Sequence, residues 1–225
     1  MRYIVAFLAL VFCDPVNAGY FGVGTGTATA DFDTSGSADR VDDEDNYLKI
    51  FGGPSRDSNY GVEFGYISFG KYSAHFPQRD RTDQIRAKAI TVAAVLNGEL
   101  TQSLGGFLRL GLDYWSADYR SDAFVGIPAS GSSQKSGSSP YIGAGIDFRL
   151  SEKTAIRLEY EKYKDIAKDF SVNLQFLTSA ETAGSDIDLV GLSLVIDFGS
   201  SSEASSNREK KVIWRPESST DQLNP

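Results

Sequence analysis

The stretch Pro140–Tyr163, PYIGAGIDFRLSEKTAIRLEYEKY, decides the fold. Read in steps of two, Ile142, Ala144, Ile146, Phe148 and Leu150 fall on one side and Gly143, Gly145, Asp147 and Arg149 on the other. After the polar Ser151, Glu152 and Lys153 the rhythm resumes, with Ile156, Leu158 and Tyr160 set against Arg157, Glu159 and Glu161. Successive side chains of a β-strand leave on opposite faces, so a period of two marks strands. Two such runs joined by a short polar link predict an antiparallel hairpin.

Working outward, the same alternation predicts strands near 20–30, 46–53, 59–70, 86–97, 103–116, 140–150, 154–164 and 186–198. Pro54–Ser58, Asn97–Gln102 and Ser151–Lys153 read as short turns. Residues 31–45, 71–85, 117–139 and 165–185, rich in Gly, Ser, Asp and charge, read as long loops. Long and short links alternate strictly. A soluble sandwich has no reason to keep every long loop on one side. An all-β, eight-stranded antiparallel up-and-down transmembrane barrel with short periplasmic turns and four long extracellular loops does.

The two faces carry different chemistry. One is continuously apolar: Tyr60, Val62, Phe64 and Tyr66; Leu108, Leu110, Leu112 and Tyr114; Val190, Leu192, Leu194, Ile196 and Phe198. The other mixes Gly22, Gly24 and Gly26 with Lys49, Glu63, Arg109, Asp113, Asp147, Arg149, Arg157 and Glu159. Alternation alone does not distinguish a lipocalin-like barrel from one facing lipid. Aromatic placement favours lipid. Tyr20, Phe21, Phe51, Tyr60, Phe148 and Phe198 gather near the short-turn ends, and Tyr47, Tyr66, Tyr72, Tyr114, Trp115, Tyr160 and Tyr163 near the long-loop ends. Two such belts suit the two membrane–water interfaces. The charges then point into a narrow lumen, where they pair because unpaired buried charge is costly. The same network is a candidate gate for an ion path.

Composition narrows the partners. The formal charge of −8 and pI near 4.7 argue against nucleic acid, which calls for clustered Lys and Arg. Arg2, the apolar run Tyr3–Phe12, Pro15 and Val16-Asn17-Ala18 read as a signal peptide over residues 1–18, too short to span a bilayer. Bulky Phe12 argues against a lipobox at Cys13, the single cysteine. The barrel is assigned to 19–199, and 200–225 to a polar periplasmic tail expected to be disordered, since it is too short and polar to fold alone.

Three segments resemble the transmembrane domain of the outer membrane protein A family: Asn59–Tyr66 (NYGVEFGY), Phe107–Gly111 (FLRLG) and Pro140–Tyr163. The resemblance implies an eight-stranded barrel in the outer membrane of a Gram-negative bacterium. It further implies inward charges forming a salt-bridged plug linked to a narrow pore. Glu63, Asp147, Arg157 and Arg109 match the family's inward positions, whereas Ala93, Ala94 and Val95 stand where a lysine is expected. Lys49, Arg109 and Arg149 are the candidates to replace it. Larger members carry a peptidoglycan-binding domain, which the short tail does not provide. Expected partners are outer-membrane lipid and lipopolysaccharide, the barrel-insertion machinery, and host or other cell-surface ligands reached through the loops.

Other constellations read as surface chemistry. Asp39, Asp42, Asp43, Glu44 and Asp45 make an acidic first loop without EF-hand spacing. Lys71, Arg79, Arg81, Arg86 and Lys88 make a basic second one. His75, with Ser73 nearby, is the only basis for a lipid-modifying enzyme, and it falls in an expected loop. No catalytic residue, metal site or cofactor is assigned. The expected role is a structural, surface-exposed barrel with adhesive loops, with a narrow gated channel as the alternative.

Overall fold

In the computed structural model the described residues are 18–32, 40–54, 58–76, 81–123, 131–171 and 182–199. The expected signal peptide and tail therefore lie outside them, apart from Ala18. Gly19–Phe198 form one compact unit, and the regular elements among its described residues are all strands. These are β1 (Ala18–Phe32), β2 (Arg40–Asp42), β3 (Glu44–Gly53), β4 (Tyr60–Phe76), β5 (Arg81–Glu99), β6 (Leu104–Ala123), β7 (Gly131–Ser151), β8 (Thr154–Ser171) and β9 (Thr182–Gly199). The short β2 pairs with the end of β4, at Asp42 with Ser73. The other eight close on themselves: β4-β3-β1-β9-β8-β7-β6-β5, and β5 returns to β4. Closure gives every strand two neighbours, the arrangement by which strands satisfy their backbone groups inside hydrocarbon.

The alternation is realised strand by strand. Leu108, Leu110 and Leu112 are exposed, as are Ile142, Ile146 and Phe148, Ile156 and Leu158, and Val190, Leu192 and Leu194. Between them Arg109, Gly111, Arg157, Glu159, Gly191 and Ser193 are buried. The outer face is thus a continuous apolar band and the inner face holds the polar groups. Inward glycines let the wall pack. A Cβ on Gly22 would run into the Phe51 ring, and one on Gly26 into the Val190 carbonyl oxygen across the β1–β9 seam.

The strands run further than the alternation predicts. Stretches expected as loops continue the ladder, and β7 begins at Gly131, paired with Ser121 of β6. Beyond the apolar band the outer face meets water, so the apolar–polar contrast that reveals a strand disappears while the backbone bonds persist. Side chains tie this extension together: Gln134 donates to Ser116 Oγ at 3.1 Å and Tyr114 to Ser136 Oγ at 3.2 Å. His75 lies in β4, its backbone paired with Arg40 and Thr82, rather than in a loop.

A bulge in β4 changes the parity there. Between Ser68 and Lys71 the β4–β5 register slips, and Gly70 takes φ 92°, a left-handed value that favours glycine. Asp45 Oδ2 accepts the Lys71 backbone N–H at 2.6 Å, bracing the turn from β3. Ile67, Phe69 and Tyr72 are consequently all buried, although the last breaks the odd-number count.

Candidate functional site: the charged lumen and its aromatic cover

Seven of the eight sequence-predicted lumen residues lie inside the barrel wall, and six of these are buried: Lys49, Glu63, Arg109, Asp113, Arg157 and Glu159. Asp147 is partly buried. Arg149 is a correction. It sits at the short-turn mouth and pairs with Glu99 at 3.0 Å, with its side chain about a third exposed. One pairing before the end of the ladder at the β7–β8 turn, it has water within reach, so it need not join the interior.

The interior network is built from opposite walls. Arg157 grips its β7 neighbour Asp147 through Nε at 2.7 Å and Nη2 at 3.0 Å, and reaches Glu63 at 3.1 Å. Arg109 Nη2 holds the other Glu63 oxygen at 2.6 Å, while its Nη1 meets Glu161 and lies 3.3 Å from Glu159. Lys49 completes the cluster, 2.6 Å from Glu159 and 3.2 Å from Glu161. Tyr20 donates to Glu63 at 2.8 Å, Ser193 to Glu159 at 2.7 Å, and Tyr163 to Glu161 at 3.0 Å. Each carboxylate is thereby paired and hydrogen-bonded, the condition under which buried charge is tolerated.

Two aromatic rings line these cations. Arg157 lies 4.1 Å from the Phe107 centroid and 5.2 Å from that of Phe51. Arg109 approaches the same rings at 5.0 and 5.8 Å, and Lys49 sits 4.9 Å from Phe51. A ring face stabilises a cation held over it. The sequence reading missed Glu161 as a network member and Phe51 and Phe107 as its lining. The signal was available: Glu161 is two residues beyond Glu159, Phe51 two beyond Lys49, and Phe107 two before Arg109.

Toward the long-strand end the lumen becomes aromatic. Two residues from Lys49 is Tyr47, from Glu161 is Tyr163, and from Asp113 is Trp115; all three are buried. Tyr163 stacks on Tyr141 with centroids 4.6 Å apart and meets Phe69 edge-on at 5.0 Å. Ile67, Ile166, Ile187 and Leu189 complete the layer. This corrects the aromatic belts. Phe21, Tyr60, Phe148, Phe198, Tyr114 and Tyr160 are exposed on the outside, but Tyr20, Phe51, Tyr47, Tyr72, Trp115 and Tyr163 fill the inside.

Among the described residues no group of three or more His, Cys, Asp or Glu is arranged to hold a metal ion. The His75 side chain lies outside the described ones.

A closed eight-stranded sheet with an apolar outer band and a paired polar interior defines an outer-membrane β-barrel. The chain belongs to the family described as OmpA-like transmembrane domain, which it matches over residues 15–202. It is similar to outer membrane protein A of Salmonella typhi, 30% identical over 111 residues, which cover 49% of this chain and 31% of that protein. Against outer membrane protein A of Escherichia coli O157:H7 it is 27% identical over 113 residues, covering 49% and 30%. The matched part is thus about a third of those relatives' length. Among solved structures the fold resembles Neisserial surface protein A, with TM-score 0.54 and 15% identity, covering 80% of this chain and 97% of that one. A major outer membrane protein of Thermus thermophilus gives TM-score 0.51 and 9% identity, covering 80% and 99%. The protein is an outer-membrane barrel of a Gram-negative bacterium.

Proposed function

We propose that the protein is a plugged barrel whose role is structural: a membrane-anchored platform that carries long strands, and the connections between them, to the cell surface for contact with other surfaces. The observation supporting this reading is the two-layer filling of the lumen. A paired charge cluster lies below a layer in which Tyr47, Tyr72, Tyr163, Phe69, Ile67, Ile166, Ile187 and Leu189 are almost completely buried. Eight strands enclose an interior only wide enough for side chains. An ion leaving the charged layer toward the outside would have to pass this apolar and aromatic layer, which offers it no continuous polar path. Single-channel recording of the refolded protein in planar bilayers tests this: a folded barrel gives no openings. Replacing the connections at the long-strand end then abolishes surface binding and leaves the barrel folded.

A second reading rests on Glu63, whose two oxygens are divided between Arg109 and Arg157. A carboxylate shared by two guanidiniums is poised to exchange partners, and such an exchange would serve as the gate of a narrow channel. Discrete openings that shift in Glu63→Gln and Arg157→Ala variants favour the channel over the plug.

A further inference from the structure

Asp113 stands apart from the network beneath it. It lies on β6, four residues beyond Arg109, and is only 3% exposed. A Cβ on Gly111, between the two, would run into the ring of Tyr141, and Tyr141 stacks on Tyr163. That pair of rings therefore lies in the space beside Gly111, between the levels of Arg109 and Asp113. Neither carboxylate oxygen closes a hydrogen bond among the described residues, although the backbone N–H of Ser139 faces the group. No described Lys or Arg forms an ion pair with it.

Its immediate neighbours offer oxygen. The β5–β6 and β6–β7 registers place Thr91 on one side of Asp113 and Ser139 on the other, both buried. Ser139 Oγ accepts Trp115 Nε1 at 3.0 Å, which fixes the hydroxyl in this row. A buried carboxylate without a counter-charge is costly. The charge cluster beneath relieves nothing, because Lys49, Arg109 and Arg157 are already outnumbered there by Glu63, Asp147, Glu159 and Glu161. With Asp113 the lumen sets five carboxylates against three basic side chains and so favours further positive charge, and the position without a partner is Asp113.

We propose that Asp113, flanked by Thr91 and Ser139, binds one monovalent alkali cation inside the outer half of the barrel. Oxygen-only ligands select a hard cation. A single carboxylate with two hydroxyls matches one positive charge, where a divalent ion would ask for more carboxylates. The ion replaces the missing basic side chain and lets the acidic interior close without leaving a bare charge.

The test is refolding in defined salt. The whole protein is refolded into lipid vesicles at pH 8 in sodium, potassium or N-methylglucamine chloride of equal ionic strength, so that occupancy does not depend on entry through the aromatic layer. Thermal midpoints are then compared for wild type, Asp113→Asn and Thr91→Val. Wild type rises with sodium or potassium over the bulky organic cation, following ligand linkage. Asp113→Asn loses that selective rise, and Thr91→Val shifts its half-saturation to about tenfold higher salt, the loss of one oxygen ligand. Thr91→Val keeps the test open if Asp113→Asn does not fold. A wild-type midpoint indifferent to cation identity overturns the proposal. So does a protonated-carboxyl infrared band that vanishes in Asp113→Asn and ignores salt, because a proton then holds the site.

Discussion

Glu63 on β4 and Arg157 on β8 are 94 residues apart in the chain and 3.1 Å apart across the lumen. The contact ties two walls that share no ladder. Arg157 also spans to Asp147 on the neighbouring strand, so one guanidinium closes three strands into a unit.

Arg157→Ala leaves Glu63 with one cation fewer and breaks the ion pair to Asp147. Removing one member of a buried pair costs about 3–5 kcal/mol. Urea unfolding in lipid vesicles should show a loss of that size. The variant Glu63→Gln, Asp147→Asn, Arg157→Met, neutral throughout, should lose less, because Arg109 retains Glu159 and Glu161. A triple variant no better than the single one would mean that packing, not charge, sets the cost.

Tyr163 is the centre of the outer aromatic layer, touching Tyr141, Phe69 and Glu161. If that layer seals the lumen, Glu63→Gln alone stays silent in planar bilayers while Tyr47→Ala with Tyr163→Ala conducts. The stacked ring contributes about 0.5–1.5 kcal/mol beyond its buried area, so the pair also lowers stability. Conductance in Glu63→Gln with intact tyrosines would place the barrier in the charges instead.

Gly191 and Gly26 face each other across the β1–β9 seam. A Cβ on Gly191 would lie 2.5 Å from the Thr25 carbonyl oxygen, whereas one on Gly98 would meet nothing within 4 Å. Gly191→Val should therefore cost about 3 kcal/mol, the upper end of overpacking, and hinder closure. Gly98→Ala should be neutral. Heat-modifiable migration on gels, in which closed barrels run apart from unfolded chains, reads both.

Asp186 sits above the apolar band on β9. Partial burial opposes its charge, but the Asp165 backbone N–H at 3.2 Å, with Lys162 and Lys164, holds its carboxyl below the usual value. A depressed carboxyl contributes stability above its unfolded pKa and loses it as pH falls through the folded one. Exposure to solvent keeps the contribution to about 1 kcal/mol or less. Asp186→Asn should thus be mildly destabilised at pH 7 and match wild type once the pH has fallen through the lowered folded-state pKa of Asp186. A difference persisting in acid would assign the effect to something other than charge.

The outer face was legible because lipid imposes one rule on it. Leu108, Leu110 and Leu112 had to alternate with something else, and a one-residue slip would put Arg109 in hydrocarbon. The interior obeys no comparable rule. Charge on alternate positions located Lys49, Glu63, Arg109, Arg157 and Glu159, yet it did not say that Arg149 would turn to Glu99 at the mouth.

The sequence by itself determined the closed antiparallel barrel, its strand order and which residues of each central strand share a face, since those follow from a local period of two and strictly alternating connections. Only the tertiary structure decided which residues meet across the lumen. Glu63 finds Arg109 and Arg157 because closure and register bring three distant strands to one height. Tyr72 turns inward because the Gly70 bulge, braced by Asp45, resets the count. Tyr47, Trp115 and Tyr163 share the inner face with Lys49, Asp113 and Glu161, and enclosure by eight walls makes a stacked aromatic layer of them where a local pattern suggested an interfacial belt. Pairing across a cavity depends on distances between strands, and those exist only once the sheet has closed.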